Sequence, residues 1–452
     1  MKIHLIAIGG SAMHNMALAL HEKGYEVSGS DDEIFEPSKG RLAAKGLLPE
    51  SMGWNADRVT SDIDAVILGM HARENNPELK KAQDLGLKIF SYPEYIFEQS
   101  KDKIRVVIGG SHGKTTITSM VLHVMNELKM NVDYMVGAKL EGYETMVKLT
   151  KEAKYIVLEG DEYLSSPIDR RPKFHLYKPH IAMISGIAWD HINVFPTFEN
   201  YVEQFEIFAN SIADKGDFIY CSEDKEVVSV ANKSKDNLNK LAYGIHPHRI
   251  EKGITILDTQ YGEYEISTFG DHNLMNLNAA RLLCMSMGVE EKSFYEAIQS
   301  FTGASKRLEK IAENAYSTVY KDFAHSPSKL KATTAAVKKQ FDDRKLIACM
   351  ELHTFSSLNK EFLKQYEGAM ETADEAIVFF SPKAIEHKKL EQLDPDYVLK
   401  CFASENVEVI TETEVIERKL KATDWKGKNL LLMTSGNFGG IDLDSFASEL
   451  VS

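Results

Sequence analysis

Four cysteines in 452 residues, Cys221, Cys284, Cys349 and Cys401, stand far apart and form no CxxC pair. That spacing argues against a disulfide framework and a structural zinc site. No apolar run approaches the ~18 residues of a membrane helix. Positive charge is in deficit, with 53 Lys and Arg against 67 Asp and Glu and a net charge of −14. Nucleic acid and anionic membranes are therefore poor partners. Met1 to Gly10 enter a strand pattern directly, without a charged-then-apolar leader. Repeats and low-complexity tracts are missing too. Together these absences predict a cytoplasmic protein with no nucleic acid and no membrane insertion. Its oligomeric state cannot be read from the sequence.

What is present is α/β in character. Apolar residues make up 43% of the chain, enough for several cores. Short apolar runs alternate with helical patterns from end to end, which predicts parallel sheets. Strands are expected at Ile3–Ile8, Tyr25–Ser28, Ala65–Leu68 and Lys88–Phe90, and then at Arg105–Ile108, Tyr155–Leu158 and Ile181–Ile184. A last group is expected at Leu346–Met350, Ala376–Phe380, Glu408–Ile410 and Asn429–Met433. A helix over Ala12–Lys23, ended by Gly24, fits between the first two strands. The polar stretch Glu98 to Lys103 reads as a linker and Thr302-Gly303 as a second break, giving segments 1–103, 104–302 and 303–452. The first looks Rossmann-like.

The most informative stretch is Ile104-Arg-Val-Val-Ile-Gly-Gly-Ser-His-Gly-Lys-Thr-Thr116. A β-branched run ends at Gly109. Beyond the loop, Ile117, Met120, Val121, Val124, Met125 and Leu128 recur at helical spacing. The context is strand, glycine turn, helix, which is that of a phosphate-binding loop. Gly110 and Gly113 let backbone N–H groups curl around phosphate oxygens, and the helix start adds partial positive charge. Lys114 can reach the outer phosphates and the Thr115 hydroxyl can ligate Mg²⁺. One departure stands out. The general pattern G-x-x-x-x-G-K-[ST] requires glycine five residues before Gly113, where this chain has Ile108.

This shorter loop is similar to that of the Mur ligases and their folylpolyglutamate synthase relatives. Other stretches carry the resemblance along nearly the whole chain. Leu158-Glu-Gly-Asp-Glu162 resembles the family's acidic motif and Trp189-Asp-His-Ile192 its D-H motif. Gly270-Asp-His-Asn-Leu-Met-Asn276 resembles its adenine-side motif, Lys306-Arg307 a basic pair, and Asp322-Phe-Ala-His-Ser-Pro327 its D-[YF]-A-H-x-P. Taken alone, Asn273 and Asn276 would equally serve as helix caps, and Asp322 and His325 as a turn before Pro327.

The resemblance implies three domains: a Rossmann-like UDP-sugar domain, a central ATPase, and a C-terminal Rossmann-like domain. It implies that ATP phosphorylates a carboxylate and that an amine attacks the acyl phosphate, leaving an amide, ADP and phosphate. By the same resemblance Lys114, His191 and Glu159 are catalytic, and Thr115, Glu159 and His191 hold Mg²⁺. ATP would meet Gly110, Ser111, His112, Gly113, Lys114, Thr115 and Thr116, with His272, Asn273, Arg307, Asp322 and His325. Many relatives carry a carbamylated lysine after the D-H motif. The corresponding Tyr201-Val-Glu-Gln-Phe-Glu-Ile-Phe208 has no lysine, as in the branches that add the first amino acid or a whole peptide.

Ile8-Gly-Gly-Ser-Ala-Met13 and Val27-Ser-Gly-Ser-Asp31 resemble the UDP-binding turn, which implies that Gly9, Gly10, Ser11, Ser30 and Asp31 face the sugar nucleotide. His14 and Asn15 stand where small residues are usual. Two branches fit UDP-N-acetylmuramate as the acid: one adds L-alanine, the other the tripeptide L-alanyl-γ-D-glutamyl-meso-diaminopimelate. Asp169-Arg-Arg-Pro-Lys-Phe174, Asp32-Glu-Ile-Phe-Glu-Pro37 and Met433-Thr-Ser-Gly-Asn-Phe-Gly-Gly-Ile441 resemble stretches of the second. A tripeptide carries several carboxylates, which arginines bind bidentately, so Arg170 and Arg171 are expected to face the peptide. A nicotinamide-dependent oxidoreductase built on the first segment would leave Lys114 without a purpose, and a nucleotide sensor would not need the later motifs.

Overall fold

The computed structural model describes residues 1–140, 142–189, 194–303 and 308–452. His191 and its neighbour Asp190, together with Lys306 and Arg307, lie outside the described residues. The described chain forms two compact units. One holds Met1–Ile245 and Met275–Ile298, the other His246–Leu274 and Gln299–Ser452.

The first unit contains two sheets. Strands β1 (Lys2–Ile6), β2 (Glu26–Ser30), β3 (Ala65–Leu68) and β4 (Ile89–Ser91) form a parallel sheet in the order β2-β1-β3-β4. The second sheet takes β5 (Ile104–Gly109), β6 (Val132–Met135), β7 (Val147–Lys148), β8 (Tyr155–Glu159), β9 (Ile181–Ile184), β10 (Asp217–Cys221) and β11 (Asn239–Tyr243). Its order is β11-β10-β9-β5-β8-β6-β7, parallel except for the edge strand β7. Val106, Val107 and Ile108 have no exposed surface. A strand covered on both faces has no need of alternation, which is why these runs read as continuously apolar. From β5 the chain passes over one position to β6 and the edge strand β7, returns to β8 beside β5, then crosses to β9 on the other side of β5. The end of β5 is therefore a topological switch point, where ligands bind in open α/β sheets.

The second unit holds a three-stranded antiparallel sheet, β12 (His248–Glu251), β13 (Ile254–Thr259) and β14 (Gly262–Ile266). It also holds β15 (Glu309–Glu313), β16 (Thr318–Asp322), β17 (Lys345–Glu351), β18 (Glu375–Phe379), β19 (Val407–Ile410) and β20 (Lys428–Met433), in the order β15-β16-β20-β17-β18-β19. Only β15 of these runs antiparallel to its neighbour.

The α/β architecture expected from the sequence is present, and the expected strands fall on observed ones within two residues at each end. An all-parallel expectation needs correction. The meander β12–β14 and the edge strands β7 and β15 are antiparallel, and half-exposed edges carry no continuous apolar run. One local signal was available: Lys252 (φ 50) and Gly253 (φ 78) are both left-handed and join β12 to β13, the geometry of a tight hairpin turn.

Candidate active site

Strand β5 delivers its chain into a loop that only glycine permits. Gly110 has φ +125, and a Cβ there would sit 2.1 Å from Ser185 Oγ and 2.8 Å from Ser185 N. Gly113 has φ +78, and a Cβ there would lie 2.5 Å from Asn276 Oδ1. The end of β9 braces the loop. Ser111 N donates to Gly186 O at 2.9 Å, and Ser185 N donates to Gly109 O at 3.1 Å. Ser185 Oγ donates to His112 O. The helix Lys114–Glu127 begins at Gly113 with no side-chain cap, so its first N–H groups are presented to an anion.

Lys114 lies across this opening. Its Nζ donates to Glu162 Oε2 at 2.8 Å and to Gly110 O at 2.5 Å. Glu162 is 1% exposed and accepts from the Tyr201 hydroxyl at 3.1 Å. Tyr201 has one hydrogen and gives it to the carboxylate, so Ser111 Oγ, 2.9 Å away, donates to Tyr201. Ser111 Oγ in turn accepts from Ala188 N at 2.9 Å. Lysine, carboxylate, tyrosine and loop serine thus form one network. Sequence reasoning missed Tyr201 as a site residue: its helix, Phe198–Asn210, was searched for a lysine, and a tyrosine there carries no motif.

Glu159 closes β8 beside the loop. Its Oε2 accepts from Gly137 N, while its Oε1 is buried and has no hydrogen-bond partner. Burial pushes the carboxyl above its usual range, against the Thr115 hydroxyl, the Gly137 N–H and the Lys114 ammonium. A buried, unpartnered carboxylate oxygen near a threonine hydroxyl fits a hard cation with oxygen ligands. Among the described residues no cluster of three or more His, Cys, Asp or Glu side chains could hold a metal. The fit is therefore to an ion such as Mg²⁺, which keeps waters and substrate oxygens in its shell.

The N-terminal turn is organised by Asp31. Its Oδ2 accepts from Gly9 N at 2.7 Å and its Oδ1 from Asp32 N at 3.0 Å. Ser30 O accepts from Ala7 N and Ile8 N, and Ser30 Oγ donates to the buried Glu78. A Cβ on Gly9 would meet Ile34 Cγ1 at 2.8 Å and Asp31 Oδ2 at 2.9 Å. Gly10 precedes the helix Ser11–Glu22, which also starts without a side-chain cap, and Ser11 stands exposed in its first turn.

Burial pushes the Asp31 carboxyl up to about 6, with Asp32 adding repulsion. A carboxyl raised on folding leaves stability intact at low pH, where it is protonated in both states. That stability is lost as the pH climbs through about 6. Asp31→Asn should therefore lose less stability than the parent between pH 4 and pH 7, by roughly 1–3 kcal/mol. Thermal unfolding across that range measures it, and parallel curves would refute it.

In the second unit, Asp322 ends β16 and is satisfied internally. Its Oδ1 accepts from Leu308 N at 3.2 Å and its Oδ2 from Thr333 Oγ1 at 2.7 Å. Burial lowers the His272 pKa, and Asp322 and Asp271 oppose that. Asn273 Nδ2 donates to Phe269 O at 3.0 Å, and His325 Nδ1 lies 2.9 Å from Phe323 O. Back in the first unit, Arg171 grips Asp169, with Nη2 to Oδ2 at 2.6 Å, and reaches Glu94 at 3.3 Å. Arg170 is exposed and makes no hydrogen bond or ion pair among the described residues. The structure therefore brings Gly110–Thr116, Glu159, Glu162 of the acidic motif, Asn276 of the adenine-side motif and the unforeseen Tyr201 together in one unit. His272, Asn273, Asp322 and His325 belong to the other.

A phosphate loop at the switch point of a parallel sheet, with a lysine and a buried carboxylate at its mouth, defines a nucleotide-binding α/β protein. Residues 108–284 match the Mur ligase middle domain and residues 2–103 the Mur ligase family catalytic domain. The chain is 30% identical over 394 residues to a UDP-N-acetylmuramate–L-alanine ligase of Caldicellulosiruptor bescii, covering 83% of each chain. It is 29% identical over 446 residues to the enzyme of that name from Sulfurihydrogenibium, covering 96% of this chain and 95% of the other. Among solved structures it resembles a UDP-N-acetylmuramate–alanine ligase of Thermotoga maritima, with TM-score 0.67, 22% identity and coverage of 97% and 96%. A murein peptide ligase of Psychrobacter arcticus gives TM-score 0.62 and 21% identity over 99% of both chains. The chain belongs to the Mur ligase family and is an ATP-dependent amide ligase of peptidoglycan synthesis. No helix among the described residues is long and apolar enough to cross a membrane.

Proposed function

We propose that this ligase activates the carboxylate of UDP-N-acetylmuramate with ATP and joins it to the amine of L-alanyl-γ-D-glutamyl-meso-diaminopimelate. The observation that carries the activation step is the pairing of Lys114 with an uncapped helix start beside the unpartnered Glu159 Oε1. Phosphate transfer between two anions needs fixed positive charge, and Lys114 supplies it once it leaves Glu162 for the phosphates. Thr115 and Glu159 hold Mg²⁺, with His191 assigned to the same task by its D-H motif; the ion supplies charge neutralisation at the transferred phosphoryl group. Gly110, Ser111, His112, Gly113 and Thr116 wrap the phosphates. His272, Asn273, Arg307, Asp322 and His325 meet the nucleotide from their motifs. Gly9, Gly10, Ser11, Ser30 and Asp31 hold the UDP-sugar. In this division residues 1–103 bind the sugar nucleotide, 104–302 bind ATP and 303–452 form the C-terminal Rossmann-like ligase domain.

The tripeptide is supported by Arg170, exposed with its guanidinium uncommitted beside the locally paired Arg171. L-alanine is the second reading, because relatives matched over most of the chain bear that activity in their names. Phosphate release with ATP, Mg²⁺ and UDP-N-acetylmuramate, plus either amine, separates the two. Turnover should require the tripeptide. Turnover with L-alanine alone would replace this reading with the second, and turnover with neither would remove both.

A further inference from the structure

The two polar residues that interrupt the apolar face of the helix Ser11–Glu22 are its least expected feature. His14 is 2% exposed and Asn15 has no exposed surface, while Met16, Ala17 and Leu20 around them are buried apolar side chains. Such groups are tolerated only when bonded. Two donors, Arg41 Nη1 and Asn15 Nδ2, each approach His14 Nε2 at 3.1 Å. Nε2 is therefore the acceptor, and Nδ1 carries the hydrogen, which faces Gly10 O and Ser38 Oγ, each at 3.0 Å. Asn15 Oδ1 accepts from Arg41 Nη1 and from Met146 N, both at 3.0 Å, and Arg41 Nη2 donates to Glu144 O at 2.7 Å.

The line does not end there. Met146 O accepts from Val136 N at 2.9 Å, one residue beyond the pairing of β7 with β6. The next residue, Gly137, gives its N–H to Glu159 Oε2, and a Cβ on Gly137 would lie 2.3 Å from that oxygen. Hydrogen bonds and short peptide links thus run from Gly10 through His14, Asn15 and Arg41 to Met146, Val136, Gly137 and Glu159.

We propose that His14, Asn15 and Arg41 are positioning residues: a clamp that ties the sugar-nucleotide turn to the strand pair aiming Glu159. The inference rests on the roles assigned above to that turn and to Glu159. Acyl activation needs the sugar carboxylate and the phosphoryl group held in register, and a short polar tether between their two supports supplies that. A family member with small residues at positions 14 and 15 would need another tether.

The test uses the full-length enzyme and the variants Arg41→Met and Arg41→Lys. Amide hydrogen exchange is followed with and without UDP-N-acetylmuramate. In the parent protein the sugar nucleotide should slow exchange both at residues 7–12 and at 132–148. In Arg41→Met the slowing at 132–148 should vanish while that at 7–12 persists, and Arg41→Lys should restore part of it. In turnover, Arg41→Met should raise the Mg²⁺ concentration for half-activation and the KM for UDP-N-acetylmuramate about tenfold, more than it lowers kcat. If Arg41→Met does not fold, Arg41→Lys carries the same comparison at smaller amplitude. Protection of 7–12 without 132–148 in the parent, or unchanged coupling in the variants, overturns the clamp. No protection at 7–12 in the parent would instead remove the sugar-nucleotide assignment, and the clamp with it.

Discussion

Lys114→Ala should lower turnover by about a thousandfold, the scale for removing one well-placed charge-stabilising group. The measurement is not clean alone. Lys114 pairs at 2.8 Å with Glu162, which is 1% exposed, so the variant removes the lysine charge that faces a buried carboxylate. Breaking a buried pair in this way costs about 3–5 kcal/mol. Part of the lost activity would then reflect lost fold. The double variant Lys114→Ala/Glu162→Gln separates the effects, because the amide still accepts from Tyr201 and carries no charge. Its unfolding temperature should return toward that of the parent while phosphate release stays low. Recovery of turnover to within tenfold of the parent would show that Lys114 serves the fold and not the phosphates.

Glu159→Gln should have an effect of similar size on turnover, about 100- to 1000-fold, and an opposite effect on the metal-free fold. Burial raises the Glu159 carboxyl above its usual range. Without metal, the parent therefore keeps its stability at low pH and loses it as the pH rises through the raised value. The glutamine variant keeps an acceptor for Gly137 N–H and has no charge to bury. It should be the more stable of the two at pH 8 in a chelator. Added Mg²⁺ should raise the parent's unfolding temperature at pH 8 and leave the variant's nearly unchanged. Equal stabilisation of both proteins by Mg²⁺ would remove Glu159 from the metal site.

Much of this site was written in the sequence, for a definite physical reason. A parallel strand buried on both faces is an unbroken apolar run, so β3 and β9 fall on their expected residues and β5 within one at each end. The loop after β5 must be glycine at two left-handed positions, and a lysine must follow. That leaves a short, local trace. Glu159 is legible through the acidic motif at the end of β8, the parallel neighbour of β5 in the sheet.

The remainder depends on contacts between distant positions. Tyr201 meets Glu162 across 39 residues, and Asn15 meets Met146 across 131. Nothing in a local window announces either. In hindsight the buried polar pair His14-Asn15, in a helix whose other inward residues are apolar, was the one readable sign of a partner elsewhere. The meander β12–β14 was missed because its strands are short and partly exposed, with burial that does not hold one face throughout.

The first unit is completed by residues 275–298, which follow the stretch 246–274 assigned to the second unit. Those late residues carry Leu277, Ala280, Leu283 and Phe294, all without exposed surface. A nascent chain therefore reaches Ile245 with the phosphate loop already made and the hydrophobic layer still missing. At ordinary synthesis speeds the next 53 residues, up to Ile298, take roughly 3–10 s to emerge. During that interval the unfinished sheet has apolar surface with nothing to cover it. A discontinuous unit should therefore raise chaperone demand during translation, and a fragment cut near residue 245 should fail to fold.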